Sequence, residues 1–295
     1  FILAFTINTD VEILPPPKRA TVFYDINKKE YTRIYVENRL EVPLQKIPDN
    51  LKKAIVNVED ARFFEHSGID LRAIARALWV DIKGGGYIEG GSTITQQLIK
   101  NRLLSTERTY KRKIQEAYLA LQLEKEYSKD EILEAYLNTI NLGASNYGVK
   151  AAAMDYFGKN LSELSLRECA MLAGITRYPY LYNPRRCYYD AKNPKIINDR
   201  TDHVLYQMYK AGDISYEEYQ EALHDTVNVL EKSRVNEMYQ MPYFVEYAVY
   251  DVITHLLQQR NMQDNKQNRA QLENELRTNG YRIYTTVDPE VQKVV

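Results

Sequence analysis

One stretch, residues 89–116, constrains the chain most, because a glycine pair, a row of polar side chains, a cationic run opposed only by Glu107 and a closing carboxylate follow one another in it. Ser92, directly after the glycines, predicts a helix N-cap, since its hydroxyl can accept an unpaired backbone N–H of the first turn. On a helix that starts there, polar side chains recur on one face. They are Thr93, Gln97 and Lys100, with Asn101 at the edge.

A cationic run continues from this helix and ends at one acid, Glu116. The cations of the candidate site are Lys100, Arg108, Arg112 and Lys113. On the next predicted helix, Ile114, Ala117, Tyr118 and Leu121 form the buried face, and Glu116 lies at its edge. Cations three and four residues before Glu116 are placed to hold its charge. The pattern favours a polyanionic ligand beside a charge-handling group, although two solvated amphipathic helices would also produce it.

A second stretch, residues 58–68, supplies another carboxylate. Apolar residues at helical spacing over residues 51–58 predict a buried stripe, and Glu59 lies at its edge. Burial disfavours the charged form of a carboxylate, which suits a proton acceptor near neutral pH. The neighbouring candidate residues are Asp60, Phe63 and His66. Taken alone, this stretch also fits an ordinary exposed helix end.

Four motifs follow one another in a fixed order along the chain. They are EDxxFxxHxG (Glu59 to Gly68), GGSTITQQxxKN (Gly90 to Asn101), RKxxE (Arg112 to Glu116) and EILExYLN (Glu131 to Asn138). In this order they resemble the motifs of the peptidoglycan glycosyltransferases, glycosyltransferase family 51, found in class A penicillin-binding proteins and in monofunctional transglycosylases. The resemblance is strong over residues 42–184.

The resemblance implies a mainly α fold, a lysozyme-like helical glycosyltransferase with a small membrane-proximal jaw and short β linker elements at both ends. Residues 1–47 would be a membrane-anchor remnant and β linker, and residues 48–230 the glycosyltransferase domain. Residues 231–295 would be a helical extension and the start of a linker towards a transpeptidase domain. Residues 79–82 and 87–88 are the candidates for contact with the bilayer.

The resemblance also implies an activity, the polymerisation of lipid II into glycan with inversion at the donor anomeric carbon and release of polyprenyl pyrophosphate. Glu59 would be the general base, and the four cations would bind pyrophosphate. Glu116 would orient a cation, or hold a water or a divalent ion such as Mg²⁺ or Mn²⁺, and no cofactor is required. The remaining substrate-binding candidates are Asp60, Phe63, His66, Ser92, Thr93, Gln97 and Asn101.

The implied partners are lipid II, the growing lipid-linked glycan, the membrane surface and moenomycin-type inhibitors. The implied location is the bacterial cytoplasmic membrane, with the catalytic domain on its outer face. A net charge of −1 argues against a nucleic-acid partner. Two alternatives remain, a lysozyme-like glycan hydrolase and a catalytically inactive cell-wall scaffold. The cationic cluster argues against the hydrolase, and the presence of both Glu59 and Glu116 argues against the scaffold.

Other patterns predict supporting structure. Residues 20–36 predict two strands around a turn, and residues 280–286 predict a further strand. Capping boxes at Ser128 and Ser165 predict two helix starts. Cys169 is interpreted as a small core residue and His203 as a surface or packing residue. Arg76 has two interpretations, contact with the anionic site and exposure to solvent, of which the second is slightly favoured.

Overall fold

Helices dominate the computed structural model, which describes residues 19–35, 38–82, 91–103, 109–231, 242–288 and 291. The helices are α1 (Asp49–Glu59), α2 (Leu71–Ile82), α3 (Ile94–Leu103), α4 (Tyr110–Glu126), α5 (Lys129–Leu137), α6 (Val149–Phe157), α7 (Leu166–Ile175), α8 (Lys195–Lys210), α9 (Tyr216–His224), α10 (Pro242–Gln259) and α11 (Lys266–Thr278). The strands are β1 (Thr21–Tyr24), β2 (Glu30–Ile34), β3 (Asn38–Arg39), β4 (Asn146–Tyr147) and β5 (Arg282–Tyr284). The mainly α prediction with short β elements towards both ends is confirmed.

Helix α7 lies at the centre of the larger core. Every residue from Arg167 to Ile175 is buried, as expected for a helix that is packed on all sides. Helices α1 and α8 both pack against it, and α1 contributes the buried face of Leu51, Ala54 and Ile55. Cys169 belongs to this core, and burial raises the pKa of its thiol to about 12.

Local capping sets most of the helix starts. The predicted capping boxes at Ser128 and Ser165 are confirmed at the starts of α5 and α7. The N-cap predicted at Ser92 is wrong by one residue, because α3 begins at Ile94. Thr93 Oγ1 accepts the backbone N–H of Gln96 at 3.1 Å, and Gln96 Oε1 accepts that of Thr93 at 3.0 Å. This reciprocal pair satisfies two N–H groups at once.

Helix α4 buries a different face from the predicted one. Ile114 is 54% exposed and Leu121 is 40% exposed, whereas Glu116, Ala120 and Leu123 are buried. The predicted buried face is therefore wrong, and Glu116 points into the protein instead of lying at the edge of the core. Helix α4 packs against α3, so α3 determines which face is covered.

Residues from the two ends of the chain share a second core. Strand β1 pairs antiparallel with β2, as predicted, and parallel with β5, with Val22 opposite Arg282. Phe23 and Ile34 of this sheet pack with apolar residues of α10 and α11. The domain boundaries at residues 47/48 and 230/231 stay predictions, to which the structure adds that the flanking segments meet.

Among the helices that the structure describes, none is both long enough and apolar enough to cross a bilayer. The candidates for contact with the bilayer lie outside the part of the structure that is described. Residues 87–88 are not described, and neither are the side chains of residues 79–82.

The second core, which residues from both ends of the chain share, predicts that Phe23→Ala destabilises helices α10 and α11. Phe23 is fully buried, and truncating a buried phenylalanine costs about 3–5 kcal/mol. We expect faster amide hydrogen exchange in α10 and α11, with α7 unchanged, as measured by mass spectrometry. Ile26→Ala is the matched control, because Ile26 is 55% exposed. Equal exchange in α10 for both variants would contradict the shared core.

Candidate active site

Glu59 is held by two uncharged donors at the end of α1. Its Oε2 accepts a hydrogen bond of 2.7 Å from Gln97 Nε2, and its Oε1 accepts one from the hydroxyl of Thr176. Gln97 Oε1 in turn accepts the hydroxyl of Tyr136 at 3.1 Å. Glu59 is half-buried, in agreement with its predicted place at the edge of the core.

Asp60 and His66 brace the turn that follows Glu59. Both carboxylate oxygens of Asp60 lie 3.0 Å from His66 Nε2, and Oδ2 also accepts the backbone N–H of Ile94 at 3.0 Å. The backbone N–H of Gly68 donates to His66 Nδ1 at 3.2 Å, so Nε2 carries the proton and donates to Asp60. The hydroxyl of Thr93 donates to the carbonyl of Gly68 at 2.7 Å. The motif from Glu59 to Gly68 therefore joins α1 to the start of α3.

A polar cavity of about 230 Å³ opens beside Glu59. The candidate residues Glu59, Asp60, Ser92 and Thr93 line it, together with Gly91 and with Ala73 and Arg76 of α2. The rest of its wall holds one further acid, Asp70, which pairs with Arg62. It also holds basic side chains, which are Arg62, Arg76, Arg177, Arg200 and His203. Such a lining suits an anionic ligand.

Glu116 is surrounded by cations. Its side chain is 2% exposed, Lys113 Nζ lies 2.6 Å from Oε1, and Arg112 Nη1 lies 3.5 Å from Oε2. Lys113 Nζ also donates to the hydroxyl of Ser92 at 2.6 Å. Because Ser92 lines the cavity, this chain of contacts joins Glu116 to the cavity wall. The predicted compensation of Glu116 by these cations agrees with the geometry.

The other candidate residues occupy varied positions. Phe63 is fully buried, with Lys129 Nζ 4.3 Å above its ring, and neither Phe63 nor His66 is among the described residues that line the cavity. Lys100 and Asn101 are exposed near the end of α3. Arg108 lies outside the described residues.

Several residues of the site were not identified from the sequence. Arg76 and His203 are both exposed, as interpreted, and both also line the cavity, which the sequence left open for Arg76 and did not indicate for His203. On α8, the three residues that face the cavity are Arg200, His203 and Gln207. Their helical spacing was a usable signal. Thr176 gave no local signal, because it meets Glu59 only when α1 packs against α7.

The surroundings of Glu116 do not suit a divalent cation, because both of its oxygens already face basic side chains. In the part of the chain that the structure describes, no three His, Cys, Asp or Glu side chains group together to hold a metal ion. The predicted divalent ion stays a prediction.

Comparison with known proteins identifies the family. The family model described as Transglycosylase matches residues 27–209, and the chain belongs to this family. Penicillin-binding protein 1A of Clostridium perfringens (strain 13) is 39% identical over 292 residues, covering 97% of this chain and 42% of that protein. Penicillin-binding protein 1A/1B of Bacillus subtilis (strain 168) is 46% identical over 214 residues, covering 72% of this chain and 23% of that protein.

A crystal structure of penicillin-binding protein 1A from Haemophilus influenzae is similar over 95% of this chain and 28% of its own, with 22% sequence identity and a TM-score of 0.45. The chain thus spans less than half the length of each of these relatives.

The close contacts around Gly68 predict that Gly68→Ala lowers the free energy of unfolding. Gly68 has φ +92°, and an added Cβ would lie 2.7 Å from the carbonyl oxygen of Ala120. Gly212→Ala is the matched control, because Gly212 has φ +78° with nothing within 4 Å. The positive φ costs about 1–2 kcal/mol in both variants, and the clash adds about 1–3 kcal/mol in the first. Urea denaturation measures the difference, and equal losses would contradict the close approach of the two segments.

Proposed function

We propose that this chain is a peptidoglycan glycosyltransferase, which polymerises lipid II into glycan strands and releases polyprenyl pyrophosphate. The family and the names of the relatives support the reaction class. The observation that supports the chemistry best is the position of Glu59, whose carboxylate lies at a polar cavity with basic walls. A base beside a site for anions is what a reaction with a pyrophosphate leaving group needs.

In this proposal Glu59 takes the proton from the 4-hydroxyl of the acceptor N-acetylglucosamine. The hydroxyl oxygen attacks the anomeric carbon of the lipid-linked donor, the bond from that carbon to the pyrophosphate oxygen breaks, and the configuration inverts. The described partners of Glu59 are uncharged donors, Gln97 and Thr176, so no ion pair in the described structure occupies the carboxylate. Glu59 therefore remains available to accept a proton.

The leaving pyrophosphate needs positive charge that is fixed in advance. Glu116 is suited to fix it, because its buried carboxylate holds Lys113 and Arg112 in place. The side chain of Lys113 is 47% exposed, so it can contact a ligand while it stays paired. Arg112 Nε is buried and has no hydrogen-bond partner among the described residues. Lys100 and Arg108 complete the proposed pyrophosphate-binding set.

The other candidates have supporting or binding roles in this proposal. Ser92 and Asn101 would bind phosphate or sugar, Thr93 and Asp60 would shape the cavity wall, and Gln97 would hold the base. Phe63 and His66 would support that wall from behind. The partners would be lipid II, the growing glycan, moenomycin-type inhibitors and the membrane surface, at the outer face of the bacterial cytoplasmic membrane.

The proposed base predicts that Glu59→Gln makes no glycan. General-base catalysis contributes about 10²–10⁴-fold in rate, and glutamine keeps the shape of the side chain without accepting a proton. Labelled lipid II in detergent, with the products sized on a gel, measures the loss. Glu65→Gln is the control, because Glu65 is an exposed acid of the same turn.

Normal polymerisation by Glu59→Gln would refute the base. A wild-type protein that makes no polymer, with an intact fold, would refute the proposed activity and favour the scaffold. Shortening of preformed glycan would favour the hydrolase.

The proposed pyrophosphate site predicts weaker binding in Arg112→Ala and Lys100→Ala. Each charged contact with phosphate contributes about tenfold in affinity, and added salt weakens it. Fluorescence titration with a labelled polyprenyl pyrophosphate measures the change. Lys125→Ala is the control, because Lys125 is an exposed cation in the last turn of the same helix as Arg112. Unchanged affinity in both site variants would remove the cationic site from the proposal.

A further inference from the structure

The hydroxyl of Thr176 has two acceptors and a single proton. Thr176 is the residue that follows α7, and its Oγ1 lies 2.8 Å from the carbonyl oxygen of Ala173 as well as in hydrogen-bond contact with Glu59 Oε1. A hydroxyl donates one proton and can accept at the same time. Its proton can therefore point to the carbonyl or to the carboxylate, but not to both.

The charge on Glu59 determines which acceptor receives this proton. Hydrogen bonds to an ionised acceptor are roughly twice as strong as neutral ones. An ionised Glu59 therefore takes the Thr176 proton on Oε1. When Glu59 is protonated, its own O–H can donate to Thr176 Oγ1, and the Thr176 proton turns to the carbonyl of Ala173.

The partner on the other carboxylate oxygen cannot turn in this way. Burial raises the pKa of Tyr136 well above its ordinary value, and the negative charges of Glu59 and Asp60 add to this effect. The phenol is therefore protonated and donates to Gln97 Oε1 at 3.1 Å. That bond fixes the amide so that Nε2, which carries only protons, faces Glu59 Oε2.

We infer that Thr176 is a positioning residue for Glu59, which donates to the carboxylate before proton transfer and accepts from Oε1 afterwards. Together with Gln97 it fixes both oxygens of the base. Among the described partners of Glu59, Thr176 on Oε1 can accept the new O–H whereas the Gln97 amide on Oε2 cannot, so the proton taken from the sugar hydroxyl comes to rest on Oε1. This inference rests on the proposed role of Glu59 as the base.

Loss of the Thr176 hydroxyl removes more stabilisation from the ionised form of Glu59 than from its neutral form, because the hydrogen bond to the charged form is the stronger one. At a given pH, a smaller fraction of the enzyme then carries the base ready to act. The acidic limb of the pH–rate profile should move to higher pH. The charged groups that line the same cavity are Asp60, Arg62, Asp70, Arg76, Arg177, Arg200 and His203. They are common to all the variants compared, so their effects cancel.

The experiment compares Thr176→Ser with Thr176→Ala in lipid II polymerisation. Both variants lose the methyl group and differ only in the hydroxyl, so any shared packing defect cancels. We expect Thr176→Ala to lower kcat about tenfold with KM unchanged, and to move the acidic limb up by about one pH unit. Thr176→Ser should keep the wild-type limb and most of kcat.

The pair Thr95→Ser and Thr95→Ala is the matched control. Thr95 is buried, and its hydroxyl donates to the carboxylate of Glu124 at 2.5 Å, on α3 and α4. This pair loses the same kind of bond outside the site, so it should change thermal stability without moving the acidic limb.

The outcomes distinguish a failure of the positioning role of Thr176 from a failure of the proposed base. If wild type polymerises, Glu59→Gln does not, and Thr176→Ala has the kcat and acidic limb of Thr176→Ser, the positioning role is refuted and the base stands. If Thr95→Ala moves the limb equally, the effect is structural and the role is also refuted. If Glu59→Gln polymerises normally, the proposed base itself fails.

Discussion

The carboxylate of Asp60 joins the parts of the site that the chain keeps apart in sequence. Its oxygens accept the backbone N–H of Ile94, at the start of α3, and the proton of His66. The first N–H groups of a helix lack intrahelical partners and carry partial positive charge, so a buried carboxylate is well placed there. Since Asp60 directly follows Glu59, the same bond sets where α1 ends relative to α3. The contact between Gln97 and Glu59 then follows from helix geometry, one turn further along α3.

The two glutamates of the site differ in the charge of the groups that contact them. Glu59 has the uncharged donors Gln97 and Thr176, whereas Glu116 has Lys113 and Arg112. A buried charge is tolerated when it is paired, and removing its partners is costly. Glu116 therefore holds two cations in place, whereas the described partners of Glu59 are neutral donors.

Local signals in the sequence were sufficient for several local features, although they misplaced the N-cap of α3 by one residue. The capping boxes at Ser128 and Ser165 need only four residues each, and the β1–β2 hairpin needs one turn. The buried face of α4 could not be predicted, because its exposed Ile114 and buried Glu116 depend on how α3 packs and on the ion pairs that compensate the acid. The pairing of β1 with β5 joins residues about 260 positions apart, and no periodicity within either strand encodes it.

The same distinction explains why the positive charge around Glu59 was only partly predicted. The cationic run before Glu116 is contiguous in sequence, whereas the basic wall of the cavity combines side chains from α2, α8 and the segment after α7. Spacing shows which side chains share a face of α8, but only the packing of α1, α7 and α8 brings that face to Glu59. The basic wall therefore depends on tertiary packing, as the contact between Glu59 and Thr176 also does.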